Sequence, residues 1–418
     1  VFRSAKERPF AERKATIRRS HDPCAAGQSV IKPSRDCWKI RAKPGTGLAV
    51  QCGVSVVPDS QDIDPMRTRL APLAVVAIII GLCAWAVRPS PSLRANPAAG
   101  VVVRSDLAGS VDRVDQHLAE LWATQELSPA EPADELLILR RLTLALLGTV
   151  PSLEEIRQFE RDDQPQRLER WTLRLLDDPR FSAYFSERLA RCLVGVDNGQ
   201  FIIYRRDRFV SWLNDQLRQN TRYDDMVRQM VRTDGLWTDS PASNFVTSAM
   251  ANGDLDENKL AARSARAFLG QSMDCAQCHD HPHADWKQAQ FEGIAAQFGQ
   301  VEVGPLGVHE KSEKKFEVED RVTLETRSVD PGVPFHAEWL PTEGTPREKF
   351  AQWLTHEDNR RFGRATANRV WGLMFGRAFI SPVDDMPDPP DSEESDVLDL
   401  LAEDFEAHDY DLRRLIQV

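Results

Sequence analysis

Cysteine is scarce where it would matter for a disulfide scaffold: of seven in 418 residues, only Cys192, Cys275 and Cys278 follow the apolar run that ends at Val87. Three thiols over more than 300 residues cannot staple a small-core protein, so the fold must rest on its own hydrophobic interior. Basic charge is short as well. The chain carries 53 Lys and Arg against 64 Asp and Glu, a net charge of −11. Residues 1–65 hold 12 basic against 7 acidic residues, so this part is +5 and the remainder is −16. An acidic body of that kind excludes nucleic acid as a partner, because phosphate binding requires a basic surface. The basic group Arg205, Arg206 and Arg208 reads as a solvated helix face. Also missing are a phosphate-cradling glycine loop, a G-x-S-x-G nucleophile elbow and an H-E-x-x-H zinc helix.

Periodicity is absent from residues 1–65, where Pro9, Pro23, Pro33, Pro44 and Pro58 are scattered among Lys and Arg. This stretch is expected to be disordered, or an over-extended translation ahead of Met66. Residues 66–88 have the layout of an export signal: Arg67 and Arg69, then the uncharged run Leu70–Val87, then Arg88. Small residues at Ala84 and Ala86 suit cleavage, while the length of the run also suits a retained anchor, with membrane contact through residues 70–87. Both alternatives place the remainder outside the cytoplasm, in the periplasm or cell envelope. Residues 89–109, rich in Pro, Ser, Ala and Gly, read as a flexible linker.

From about 110 to 298 apolar residues recur at spacings of three and four, which predicts a multi-helix body. The leucine-rich stretch 134–147 reads as its central helix. Gly148 stops it, and Ser152 with Glu155 forms a capping box for the next. Further helices are expected at about 165–177, 181–194, 208–219, 223–232, 257–271 and 287–298. Residues 299–343 alternate apolar and polar residues at 301–303, 316–319 and 322–325, predicting a short β insertion. Helical spacing returns at 345–356, 361–375 and 394–406, within a second helical part over 344–418. The fold class is therefore mainly α, a multi-helix body with a small β insertion and a second helical part.

The chemistry concentrates in residues 275–283, Cys-Ala-Gln-Cys-His-Asp-His-Pro-His. Cys275, Cys278 and His279 match the pattern for covalent haem c attachment, in which two thiols bind the porphyrin edge and the adjacent imidazole binds the iron. Thiols three residues apart share one side of a helical turn, which brings both to one edge of the macrocycle. With His281 and His283 the same segment also holds enough donors for zinc, with His279, His281 and His283 as metal ligands. A Cys275–Cys278 disulfide is the third alternative. If haem is present, Met250, Met273, Met374, His281, His283, His309 and His336 are candidates for the sixth ligand.

Other constellations read as structural. Cys192 is expected to be a buried thiol. The acidic run Asp384, Asp385, Asp388, Asp391, Glu393, Glu394 and Asp396 lacks ordered calcium-ligand spacing and is expected to be a solvated turn. Asn368, Arg369, Arg377 and Asp384 suggest a polar site or an Arg–Asp network between two helices.

Several runs carry a family resemblance. Leu139–Gly148 (LRRLTLALLG) with Pro151, then Leu175–Phe181 (LLDDPRF), then Ala267–Gly270 leading into Cys275–His281, resemble the planctomycete cytochrome-c-like domain of unknown function. Trp353-Leu354-Thr355 with Asp358-Asn359, Asn368–Trp371, Phe375–Arg377 and Pro382–Asp385 are similar to the companion domain that follows it. Together the motifs cover about 110–418. The resemblance implies an exported, multidomain protein of planctomycete-type bacteria with unassigned activity. Unlike many relatives, the chain has no second Cys-x-x-Cys-His and only a short insertion between the domains. Its last residues, Asp411–Val418, match an interior stretch of the companion domain, so a truncated fragment is expected.

The functional expectation is an exported or membrane-anchored c-type haem protein with a redox role and a redox partner protein. Two alternatives stand beside it. One is a non-redox scaffold or binding module with a structural Cys/His metal site. The other is a metal-dependent hydrolase that uses His281, His283 and Asp280 or Asp285.

Overall fold

The computed structural model describes residues 106–199, 204–320, 323–389 and 396–418. The expectations for the leader, the export signal and nearly all of the linker lie outside the described residues, as do Asp391, Glu393 and Glu394 of the acidic run.

Helices dominate. In chain order they are α1 (Leu107–Thr124), α2 (Glu135–Leu147), α3 (Leu153–Glu160), α4 (Arg167–Asp177), α5 (Pro179–Val194), α6 (Arg206–Arg218), α7 (Tyr223–Arg232), α8 (Asn244–Thr247), α9 (Glu257–Ser264), α10 (Gln288–Ala296), α11 (Pro346–Leu354), α12 (Arg360–Phe375), α13 (Val397–Ala407) and α14 (Leu412–Gln417). Local chemistry sets their ends. At α3, Ser152 Oγ accepts the Glu155 N–H (3.2 Å) and the Glu155 carboxylate accepts the Ser152 N–H (2.6 Å), the reciprocal box read from the sequence. At α5, Asp178 caps a helix that opens on Pro179, where the missing N–H costs nothing.

Three antiparallel hairpins interrupt the helices: β1–β2 (Met250–Ala251 with Asp254–Leu255), β3–β4 (Val301–Gly304 with Gly307–Glu310) and β5–β6 (Phe316–Glu319 with Thr326–Val329). The strand expected at 322–325 is displaced. Residues 323–325 belong to the turn, where Leu324 N donates to Asp320 O (2.8 Å) and Asp320 N to Glu325 O (2.9 Å), and the strand begins at Thr326. Asn252-Gly253, a dipeptide that tolerates the positive φ of a tight hairpin, makes the first hairpin.

One hydrophobic cluster runs from Val114 on α1 to Leu415 on α14 and takes side chains from both helical parts. On α5, Phe181, Phe185, Leu189 and Leu193 form a stripe at four-residue spacing against Phe209, Trp212 and Leu213 of α6. Truncating one such fully buried Phe to Ala would cost about 3–5 kcal/mol. α2 is less central than its composition implies: Leu139, Leu146 and Leu147 are buried, whereas Leu136, Leu137 and Leu144 are among the exposed large apolar side chains. Leu142 and Leu144, with Val370, Trp371 and Met374 of α12, line an open apolar groove of about 810 Å³. No helix among the described residues is long and apolar enough to cross a membrane.

Arginines join the elements. Arg206, expected on a solvated face, is 9% exposed and pairs with Glu187 of α5 at 2.9 and 3.0 Å. Arg364 on α12 holds Asp396, which caps α13, and Asp399 within it at 2.6–2.8 Å. Arg369 does not meet Asp384; it donates to the carbonyls of Arg266 (2.9 Å) and Ala267 (3.4 Å), while the Asn368 amide exchanges two 2.9 Å hydrogen bonds with the Ile380 backbone.

Burial and the neighbouring Glu403 carboxylate push the Glu406 carboxyl on α13 up to about 7. Its unfolded value is near 4.3, so between these pH values the folded chain binds more protons than the unfolded one and stability falls as pH rises. Glu406→Gln is therefore expected to raise the thermal midpoint at pH 8 by several degrees. The gain should vanish at pH 4, a contrast that paired melts at the two pH values will read.

Candidate functional site

The Cys/His segment lies between α9 and α10. After Ser264 the helix widens to a π-turn, Ala265–Leu269, closed by Gln271 N donating to Ala265 O at 3.2 Å. The expected continuous helix over 257–271 is thus α followed by π, a form concentrated at functional sites because it re-aims the chain. Arg369 supplies donors to two carbonyls of this turn. Gly270 ends it at φ +65°, and a Cβ there would lie 3.0 Å from Met386 Sδ. The positive φ favours glycine, and any side chain there would also have to displace the flexible end of Met386.

Asp274–Gln277 then form a single 3-10 turn. Arg266 Nη1 lies 3.0 Å from both carboxylate oxygens of Asp274 and fixes the start of this turn. Met273 and Ala276 point into the core, fully buried, while Cys275 and Cys278 are exposed. Cys275 lies within the turn and Cys278 caps its end, so both thiols face outward while Ala276 between them faces inward. Both thiols are free, so the disulfide alternative is not what the structure holds. Cys192, expected to be buried, is only partly so.

The histidines differ in which nitrogen is available. His279 Nδ1 lies 2.7 Å from Asp280 O. A carbonyl can only accept, so Nδ1 carries the proton and the Nε2 lone pair is left for a ligand, the arrangement typical of a metal-binding imidazole. His281 is the reverse: its Nδ1 accepts the His283 N–H at 3.2 Å, so in the neutral ring the proton sits on Nε2. The His281 and His283 rings stand edge to face, 6.4 Å between centroids. Asp280 is used in closing the loop. The Gln288 N–H at 3.0 Å, then Lys287 at 3.3 Å, hold its carboxyl below the usual carboxylate range. Among the described residues no group of three or more His, Cys, Asp and Glu converges as a metal site, so His279, His281 and His283 are not brought to one point. Cys275 and Cys278 remain as free, exposed thiols, followed by the His279 imidazole with its Nε2 open.

The sixth-ligand candidates are dispersed. Met273 is buried beneath the turn, Met250 lies on β1, His309 on β4 and Met374 on α12. His336 stacks on Trp339 at 4.1 Å between centroids.

Around the segment lie residues that motif reading passed over. Gln271 is 4% exposed and bonds both Met386 O and the Trp286 indole. Nothing local signals this, because Met386 is 115 positions away.

Comparison with known proteins is confined to domain families. Residues 113–303 match the family described as PSCyt2, protein of unknown function (DUF1549), and residues 346–418 match the one described as PSD1, protein of unknown function (DUF1553). No curated protein and no solved structure matches the chain. The chain therefore carries a PSCyt2 domain over residues 113–303 followed by a PSD1 match over 346–418, both domains of unknown function.

Proposed function

We propose that this is a c-type haem protein of the cell envelope, exported or anchored through residues 70–87, that passes electrons to or from a partner protein. One observation carries the reading: two unpaired, exposed thiols, Cys275 in the Asp274–Gln277 turn and Cys278 capping its end, are followed by His279 with Nε2 free. Cys275 and Cys278 would form the thioether links and His279 the axial bond. Bound there, the haem supplies one-electron redox chemistry. The chain's own part is to hold the imidazole by the Nδ1–H to Asp280 O bond and to keep the attachment turn on the surface, within reach of a protein partner.

A structural metal clip is the second reading, favoured by His283, exposed, and His281, half-buried, following the thiol pair in the same segment. It requires His281 to give up the hydrogen bond at Nδ1 or shift its proton, because Nε2 is protonated in the present geometry. The two readings separate by spectrum and metal content. Protein matured in a host competent for haem attachment is expected to show Soret and α bands that survive denaturation. Their absence, together with one zinc per chain, would establish the clip instead.

A further inference from the structure

The segment bearing the thiols and imidazoles is free at its tip and tied at its two roots. At the first root, Met386 N donates to Gly270 O at 2.8 Å. Gln271 donates from Nε2 to Met386 O (2.7 Å) and accepts at Oε1 the indole N–H of Trp286 (3.2 Å). At the second root, Trp286 O accepts the His281 N–H (2.8 Å), and the Trp286 ring packs 5.4 Å from the Arg361 guanidinium. Arg361 in turn pairs with Asp388 at 2.7 Å, two residues beyond Met386. A single buried amide thus joins both roots of the segment to the stretch at 386–388.

A buried amide with both ends engaged acts as a strut, because loss of either partner leaves a desolvated polar group unpaired. Met273 and Ala276 are buried and Arg266 pairs with Asp274, so the first half of the segment is also held by packing, whereas residues 277–280 and 282–285 are exposed. The conformation of this second half depends most on the contacts at its roots. Gln271 and Trp286 lie within the PSCyt2 match, and Met386, Asp388 and Arg361 within the PSD1 match.

We propose that Gln271 is the positioning residue of the Cys/His segment, and that the PSD1 part sets the segment's conformation through Met386 and Arg361. The haem reading enters only in what the segment carries; the clamp is tested without haem. Amide hydrogen exchange, resolved by peptide, is compared between the full haem-free chain and its Gln271→Ala variant. The expected result is at least about a tenfold faster exchange across residues 272–286 with α5 unchanged. Unchanged exchange across 272–286, or an equal rise in α5, overturns the proposal. Trp286→Phe, which keeps an aromatic ring but removes the N–H together with part of the indole volume, is expected to give the same local effect and serves if Gln271→Ala does not fold. In haem-matured protein, Gln271→Ala is expected to shift the Soret band and the reduction potential while both thioether links still form. Wild-type protein without haem would end the functional reading and leave the exchange result to decide the clamp.

Discussion

Arg347→Met is expected to destabilise the chain by about 3–5 kcal/mol, lowering the thermal midpoint by on the order of 10 °C. Arg347 opens α11 and is almost fully buried. Its guanidinium pairs with Asp234, donates from Nε to Glu310 Oε1 (2.9 Å), and reaches Val231 O (3.2 Å) and Thr233 O (3.4 Å). It therefore ties the start of the PSD1 part to the end of α7 and to β4. Methionine fills much of the volume but leaves Glu310, which is 14% exposed, and two carbonyls without their donor. The useful contrast is Arg113→Met. Arg113 pairs with Glu403 at 3.1 Å, but both side chains are more than half exposed, so screening and side-chain entropy hold the effect to about 0–1 kcal/mol. Denaturant titration of the two variants should show a wide gap; an Arg347→Met midpoint within a degree of wild type would contradict this account of how the two parts are joined.

The largest functional effect is expected from the thiols. Cys275→Ser combined with Cys278→Ser should remove covalent haem completely, while folding changes by less than about 0.5 kcal/mol because both side chains are exposed and unbonded. His279→Ala should keep the thioether links and alter the Soret band, because only the axial ligand is lost. His281→Ala should leave both links and the axial bond intact, since the Nδ1 of His281 is occupied by the His283 N–H. Acid-acetone extraction followed by visible spectra distinguishes the three outcomes. A double serine variant with undiminished covalent chromophore would refute the assignment.

Much of this architecture was legible because local chemistry governs it. Apolar spacing placed α4 to α7, α10, α11 and α12 within about two residues, and the Ser152 box marked a helix start that needs no distant partner. Where distant contacts decide, composition misled. Leu136, Leu137 and Leu144 looked like core residues, yet the helix turns them outward while Leu139, Leu146 and Leu147 face inward. Arg206 looked solvated until Glu187 on α5 came alongside it. Leu324 fits an alternating strand pattern, but the Asp320 and Glu325 hydrogen bonds make it part of a turn. At the site, spacing alone put the two thiols at one turn. The availability of His279 Nε2, the occupied Nδ1 of His281 and the Gln271 strut depend on backbone carbonyls and on Met386, which no motif encodes.

The most direct test is the mass of the peptide that spans Ala267 to Lys287 in protein matured where haem attachment is possible. The expected result is one haem added to that peptide, with Cys275 and Cys278 both protected from alkylation. Recovery of the unmodified peptide with both cysteines alkylated, from protein showing no covalent chromophore, would contradict it.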